Sequence, residues 1–185
     1  MNYDESVFKE KANRRARRIW IIFAALLSAN YGADVANHLR GTTYYIIFLA
    51  LCWLPVITGE ILLRVKGFDT DQYKFNLVIG YCIFYTFVLC TTESPIAFTY
   101  ILPVTSLLVL YKSIRFMVSC GIANSLIIVG GAAYRISQGF NSASDMKNYQ
   151  LELACIILCY ICYVMSIKHL IESDGAMTDS IKADL

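Results

Sequence analysis

The sequence predicts an all-α integral membrane protein, a six-transmembrane-helix bundle whose last helix extends into the cytoplasm. Two observations carry this. Hydrophobic residues make up 57% of the 185 positions and charged residues only 16%, against roughly 25% charged in a soluble domain. Polar surface is therefore too scarce to cover a globule. The apolar residues also come in long blocks. A bilayer-spanning helix needs about 20 mostly apolar residues, and six blocks approach that length. This excludes a soluble enzyme, a disulfide-stapled secreted module and an ordinary nucleic-acid binder. It also excludes a transmembrane β-barrel, whose strands alternate over about ten residues.

The first span is predicted at Ile19–Asn37, with Asn30, Asp34 and Asn37 making its second half polar. No small-residue cleavage site follows it and five more apolar runs do, so it is a retained span and not a signal peptide. The others are Thr43–Leu63, Phe75–Thr91, Pro95–Tyr111, Ile114–Tyr134 and Leu151–Ile171. Short connections make consecutive helices antiparallel neighbours. Ser94-Pro95 fits an N-cap followed by proline in the first turn, and Asp69 or Asp71 can cap the third span. Pro55 and Pro103 fall inside the second and fourth spans, where proline kinks a helix. Arg135–Gln150 is the one longer outer link.

Orientation follows from Lys and Arg in the flanks. Six of the 16 basic residues lie between Lys9 and Arg18. With the N-terminus in the cytoplasm, 13 basic residues fall on the cytoplasmic side. Only three, Arg40, Arg135 and Lys147, fall outside. An even span count preserves this alternation and leaves both termini cytoplasmic in a cell inner or plasma membrane. The organisation is then a basic cytoplasmic segment (1–18), a six-helix membrane domain (19–171) and the start of a cytoplasmic amphipathic helix (172–185).

Ionisable groups at membrane depth are the default functional candidates. Asp34, Asn37, His38, Glu93, Arg135 and Glu152 fall toward the outer side. They form either a polar cup for a small polar or cationic ligand, or a set of headgroup-level residues paired with Arg40 and Arg135. Glu60 stands one turn before Arg64, the spacing of a helix ion pair. Ala24, Ser28, Gly32 and Ala36 recur every four residues, as do Ala25, Ala29 and Ala33. Such small faces let helices approach closely, either within the bundle or in a dimer.

Catalytic and metal templates fail. The two histidines, His38 and His169, fall on opposite sides of the membrane. H-E-x-x-H, G-x-S-x-G, Walker and G-x-G-x-x-G patterns are absent. Cys155, Cys159 and Cys162 match the C-x3-C-x2-C spacing of radical-SAM clusters. They lie in an apolar run where the spacing places the thiols on one helix face, so packing explains them better. No enzyme activity, cofactor, metal site or nucleic-acid partner is expected. After Ile171 the residues Met177, Ile181 and Leu185 continue a three-and-four spacing from Ile167 and Leu170, interrupted at Asp174. That pattern marks the start of a coiled-coil-like helix needing a partner.

Four stretches resemble the six-helix membrane region of methyl-accepting chemotaxis proteins of anaerobic Gram-positive bacteria. They are YDESVFKEKANRRARRIW, FLALCWLPVITGEILLRVKGFDTDQYK, GYCIFYTFVLCTTESPIAFTYILPVTSLLVLYK and LACIILCYICYVMSIKHLIESDGAMTDSIKADL. The resemblance implies a homodimeric sensor in a lipid bilayer, whose sixth helix feeds a cytoplasmic signalling module beyond Leu185. The alternative is a small-molecule-binding membrane subunit of an energy-coupling-factor type transporter, which the six helices also fit.

Overall fold

The computed structural model describes residues 2–92 and 94–185, and among them every regular element is helical. The order is α1 (Asn2–Ala36), α2 (Thr42–Lys66) and α3 (Gln72–Thr91), then a 3₁₀ helix (Pro95–Ile101) leading into α4 (Leu102–Leu108). A 3₁₀ turn (Val109–Tyr111), α5 (Ile114–Ser137) and α6 (Ala143–Asp184) complete it. Five helices, α1, α2, α3, α5 and α6, are long and apolar enough to cross a membrane. Large apolar side chains stand on their outward faces: Leu26 is 65% exposed, Ile79 61%, Leu126 67% and Leu158 62%. Such a surface on helices of this length suits hydrocarbon rather than water. The chain is a multi-pass membrane architecture.

The chain divides into two compact units, Met1–Val104 and Thr105–Leu185. In the first, α1, α2 and α3 meet around an aromatic core. Tyr31 stacks on Phe48 with ring centroids 4.1 Å apart, and Phe48 meets Phe84 edge-on at 5.1 Å. Trp20 meets Tyr73 edge-on at 6.2 Å. Aromatic pairs in such geometries add about 1 kcal/mol each beyond burial. The small face of α1 turns toward α2 in the same chain. Trp53 Nε1 donates to Ser28 Oγ at 2.8 Å, and Tyr45 OH donates to the Ser28 carbonyl at 2.8 Å. The Tyr45 ring end also lies against Gly32, and Ala24 is buried. Internal packing therefore accounts for Ala24, Ser28 and Gly32, while Ala36 and the Ala25, Ala29, Ala33 row are exposed.

Several expectations change. The basic segment is helical and continuous with the first span, so α1 runs 35 residues, about 52 Å at 1.5 Å per residue. Its N-terminal part packs on the α2–α3 loop. Asn13 Nδ2 donates to the Phe68 and Thr70 carbonyls at 2.8 and 2.9 Å. Ser6 donates to Asp69 at 3.0 Å, and Lys9 reaches Asp71 at 3.2 Å. Asp69 and Asp71 thus serve α1 and make no side-chain cap on α3. Glu60 pairs with Arg17 of α1, displacing the expected Arg64 partner. Ser94 precedes the proline as expected but makes no side-chain cap bond.

The fourth apolar run is mostly 3₁₀. Tyr81 OH and Tyr85 OH on α3 donate to the carbonyls of Tyr100 and Phe98, the latter at 2.7 Å. Pro103 lies inside the apolar helical segment Pro95–Tyr111, just after the junction of the 3₁₀ helix with α4. Pro55 lies inside α2. The Pro55 carbonyl receives Asn76 Nδ2 at 3.1 Å and Thr58 Oγ1 at 3.0 Å. Gly80 of α3 faces the proline ring so closely that a Cβ there would overlap it.

In the second unit α5 and α6 form an antiparallel hairpin. Ser113 caps α5 by accepting from Phe116 N at 3.2 Å. Ser142 and Asp145 form a reciprocal capping box at 3.1 and 3.2 Å. This cap starts α6 at Ala143 and reduces the expected 135–150 link to the few residues after Ser137. Tyr160 packs against Gly121. Lys112 ion-pairs with Asp174, the acid that interrupts the apolar spacing of the tail. All seven cysteines are free thiols.

Gly80→Ala should lower stability by about 1–3 kcal/mol through overpacking against Pro55. Gly130→Ala, where a Cβ meets nothing within 4 Å, should be neutral or stabilising. Denaturant unfolding in detergent micelles checks both.

Candidate functional site

Residues expected in the polar cup form one local group in each unit, Asp34, Asn37 and His38 in the first, Arg135 and Glu152 in the second. The first sits at the α1–α2 turn. Helix α1 ends in a Schellman motif, with Leu39 N donating to the Asp34 carbonyl at 2.8 Å and His38 N to the Val35 carbonyl at 3.1 Å. This motif places its C′ residue in the left-handed region, and that residue is His38, with φ 57°. His38 is exposed and its position is explained by the turn; Asn37 is exposed beside it.

The turn carries Arg40 back over α1. Arg40 Nε bonds Asp34 Oδ2 at 3.0 Å, and its guanidinium lies 4.4 Å from the Tyr31 ring centroid and 5.4 Å from that of Tyr44. Burial opposes the Arg40 charge, but the Asp34 hydrogen bond and the two tyrosines outweigh it and raise its pKa. Tyr44 OH and Thr91 share a hydrogen bond of 2.7 Å, and Tyr31 OH and Thr92 one of 3.4 Å. These ties bring the C-terminal end of α3 to the same place. Asp34 is therefore an ion-pair partner, as one of the two sequence readings had it. Glu93 lies outside the described residues.

The second group lies along the facing surfaces of α5 and α6. Arg135 and Glu152 are 9% and 4% exposed, and the guanidinium is near enough to act on the carboxylate electrostatically. They do not form a direct ion pair, and Glu152 Oε1 has no hydrogen-bond partner among the described residues. Tyr149, one turn before Glu152, donates its OH to the Phe140 carbonyl at 2.8 Å and closes the α5–α6 turn.

Two turns past Glu152, Tyr160 receives a hydrogen bond from Asn124 Nδ2 at 3.2 Å. Asn124 is 1% exposed and its Oδ1 is likewise without a partner. The buried row Glu152, Ile156, Tyr160 on α6 and the row Asn124, Ile128, Arg135 on α5 make a seam with two unfilled acceptors. Such a seam is suited to a hydrogen-bond donor. Sequence reasoning named Arg135 and Glu152 but missed Asn124, the one amide in the fifth apolar run, which was the available signal.

Two open grooves flank the hairpins, about 300 Å³ between α2 and α3 and about 290 Å³ between α5 and α6. Neither is lined by Asp34, Asn37, His38, Arg135 or Glu152. No group of three or more His, Cys, Asp or Glu side chains arranged to hold a metal occurs among the described residues. No family model, curated protein or solved structure matches the chain.

Arg135→Met should destabilise the protein, because it removes a positive charge whose field favours the buried Glu152 carboxylate. The double variant Arg135→Met/Glu152→Leu should be more stable than that single variant. Arg40→Gln should cost only about 1 kcal/mol, the scale of a partly exposed pair with its ring contacts. Unfolding midpoints of the four proteins, wild type included, check the ranking.

Proposed function

We propose that this chain is the membrane input region of a chemotaxis-type signal-transduction receptor. In this reading it crosses the bilayer six times, keeps both termini in the cytoplasm and works as a homodimer. The observation that carries the reading is α6. It runs 42 residues without a break, about 63 Å at 1.5 Å per residue, roughly twice what a bilayer core requires. From residue 168 onward every position is exposed. That extension still presents apolar side chains, with Met177 62% and Ile181 56% exposed, at the spacing of a coiled-coil seam. A helix that leaves the membrane with an uncovered apolar row is built to join a partner and carry a change along its axis.

The six-crossing count draws support from the fourth segment. A 3₁₀ helix rises about 2.0 Å per residue against 1.5 Å for an α-helix. The segment Pro95–Tyr111 is apolar over 17 residues, and its 3₁₀ portions cover more length per residue than α-helix does. The 13-to-3 split of basic residues favours the same topology.

In this mechanism a stimulus favours one of two packings of the membrane helices, and it does so only through differential affinity for them. The unfilled acceptors of Glu152 and Asn124 offer a donor-bearing ligand such a difference. Lys112, in the turn before α5, is tied to Asp174 on the α6 extension, so movement in the hairpin is passed directly to the exit helix.

A reporter fused after Leu185 should face the cytoplasm. Single cysteines placed along 167–185 in an otherwise cysteine-free chain should crosslink between copies with a three-and-four periodicity. Retention of a bound small molecule through purification, together with aperiodic or absent crosslinks, would favour the transporter-subunit reading instead.

A further inference from the structure

The six basic residues between Lys9 and Arg18 divide into two sets with different surroundings. Lys9 reaches Asp71, Arg14 pairs with Glu10 at 2.9 Å, and Arg17 pairs with Glu60. Arg14 also lies 4.1 Å over the Phe68 ring. Two of these three tie α1 to acids of α2 and the α2–α3 loop, and the third rests on that loop. Lys11, Arg15 and Arg18 are different. They recur at i, i+4 and i+7, so they share one face of α1. All three are exposed, and none has a carboxylate within 4.0 Å among the described residues.

That face continues without interruption into the apolar part of the helix. Ile22 follows Arg18 after one turn and Leu26 after two, and they are 55% and 65% exposed. The same side of α1 is thus lipid-facing hydrocarbon surface over one stretch and unpaired positive charge immediately before it. The three charges span eight residues, about 10 Å along the axis, enough to cover the roughly 5–7 Å polar margin of one leaflet.

We infer that Lys11, Arg15 and Arg18 form a binding stripe for the headgroups of anionic phospholipids, while Lys9, Arg14 and Arg17 are structural clamps. The occupant follows from position and charge. A lipid whose acyl chains lie on Ile22 and Leu26 presents its phosphate at the height of the stripe. Each basic side chain near an anionic surface adds about 1 kcal/mol, close to fivefold in affinity. The inference rests on α1 crossing the bilayer and not on the receptor reading.

The test uses the full chain in a neutral detergent, titrated with phosphatidylglycerol or with phosphatidylcholine, bound lipid being counted by native mass spectrometry. Wild type should prefer phosphatidylglycerol, and the preference should shrink as salt rises from 0.05 to 0.5 M, where charges are screened within a few ångströms. The variant Lys11→Gln/Arg15→Gln/Arg18→Gln should bind phosphatidylglycerol about a hundredfold more weakly, with its thermal midpoint unchanged. Lys9→Gln/Arg17→Gln should lower the thermal midpoint while the lipid preference persists. Should that variant not fold, Arg15→Gln alone, with an expected loss of about fivefold, still decides the matter. Unchanged phosphatidylglycerol binding by the stripe variant overturns the inference. So does displacement of the lipid by millimolar inorganic phosphate or by a single-stranded RNA of equal charge, which would assign the stripe to a soluble anion. Failure of the bilayer premise has a separate signature, a chain monodisperse in buffer without detergent.

Discussion

A backbone carbonyl in hydrocarbon has no water to turn to, and each one left unserved costs several kcal/mol. At several points where the described chain departs from straight α-helix, a side chain from elsewhere in the fold supplies a donor. Asn13 serves two carbonyls of the α2–α3 loop. Asn76 serves the carbonyl of Pro55. Tyr81 and Tyr85 serve the 3₁₀ run after α3, and Tyr149 serves the α5–α6 turn. Removing the apolar residues around these donors would weaken packing. Removing the donors themselves would strand the backbone and with it the geometry of the irregular segments.

The same economy governs charge. Several acids are held by basic partners on other elements: Glu60 by Arg17, Asp71 by Lys9, Asp174 by Lys112. Asp34 is held by Arg40 across a tight turn. Against that background the unpaired Oε1 of Glu152 and Oδ1 of Asn124 stand out, because burying an acceptor without a donor costs about 1–3 kcal/mol. Lys11, Arg15 and Arg18, likewise uncommitted, differ in being exposed, so they cost nothing until an anion arrives.

Periodicity and flank charge speak only about neighbours in sequence, and much of the candidate site was invisible to them. Arg135 and Glu152 were legible because an ionisable residue beside an apolar run is conspicuous. Their placement on facing helices was not, since it depends on the register of α5 against α6. Asn124 was overlooked because an amide carries no charge. The pairing of Glu60 with Arg17 rather than Arg64 could not be foreseen either. The local i, i+4 geometry was available, but α1 brings a guanidinium to the carboxylate from 43 residues away. The length of α1 was underestimated for a related reason. Its first half has no apolar run of its own, and it is held as helix by Asn13, Ser6 and Lys9 against the α2–α3 loop.

By itself the sequence determined the helical class, five of the apolar blocks it marked as long helices, and the helical continuation of the last one beyond its apolar block. Each follows from the length of an apolar block and from hydrogen bonds within four residues, which need no distant partner. Tertiary structure alone decided which charges are clamps and which are free, why the fourth segment winds as 3₁₀, and where two buried acceptors go unmet. Those outcomes depend on which side chains other elements bring within about 3 Å of a carbonyl or carboxylate, a distance that no spacing along the chain encodes.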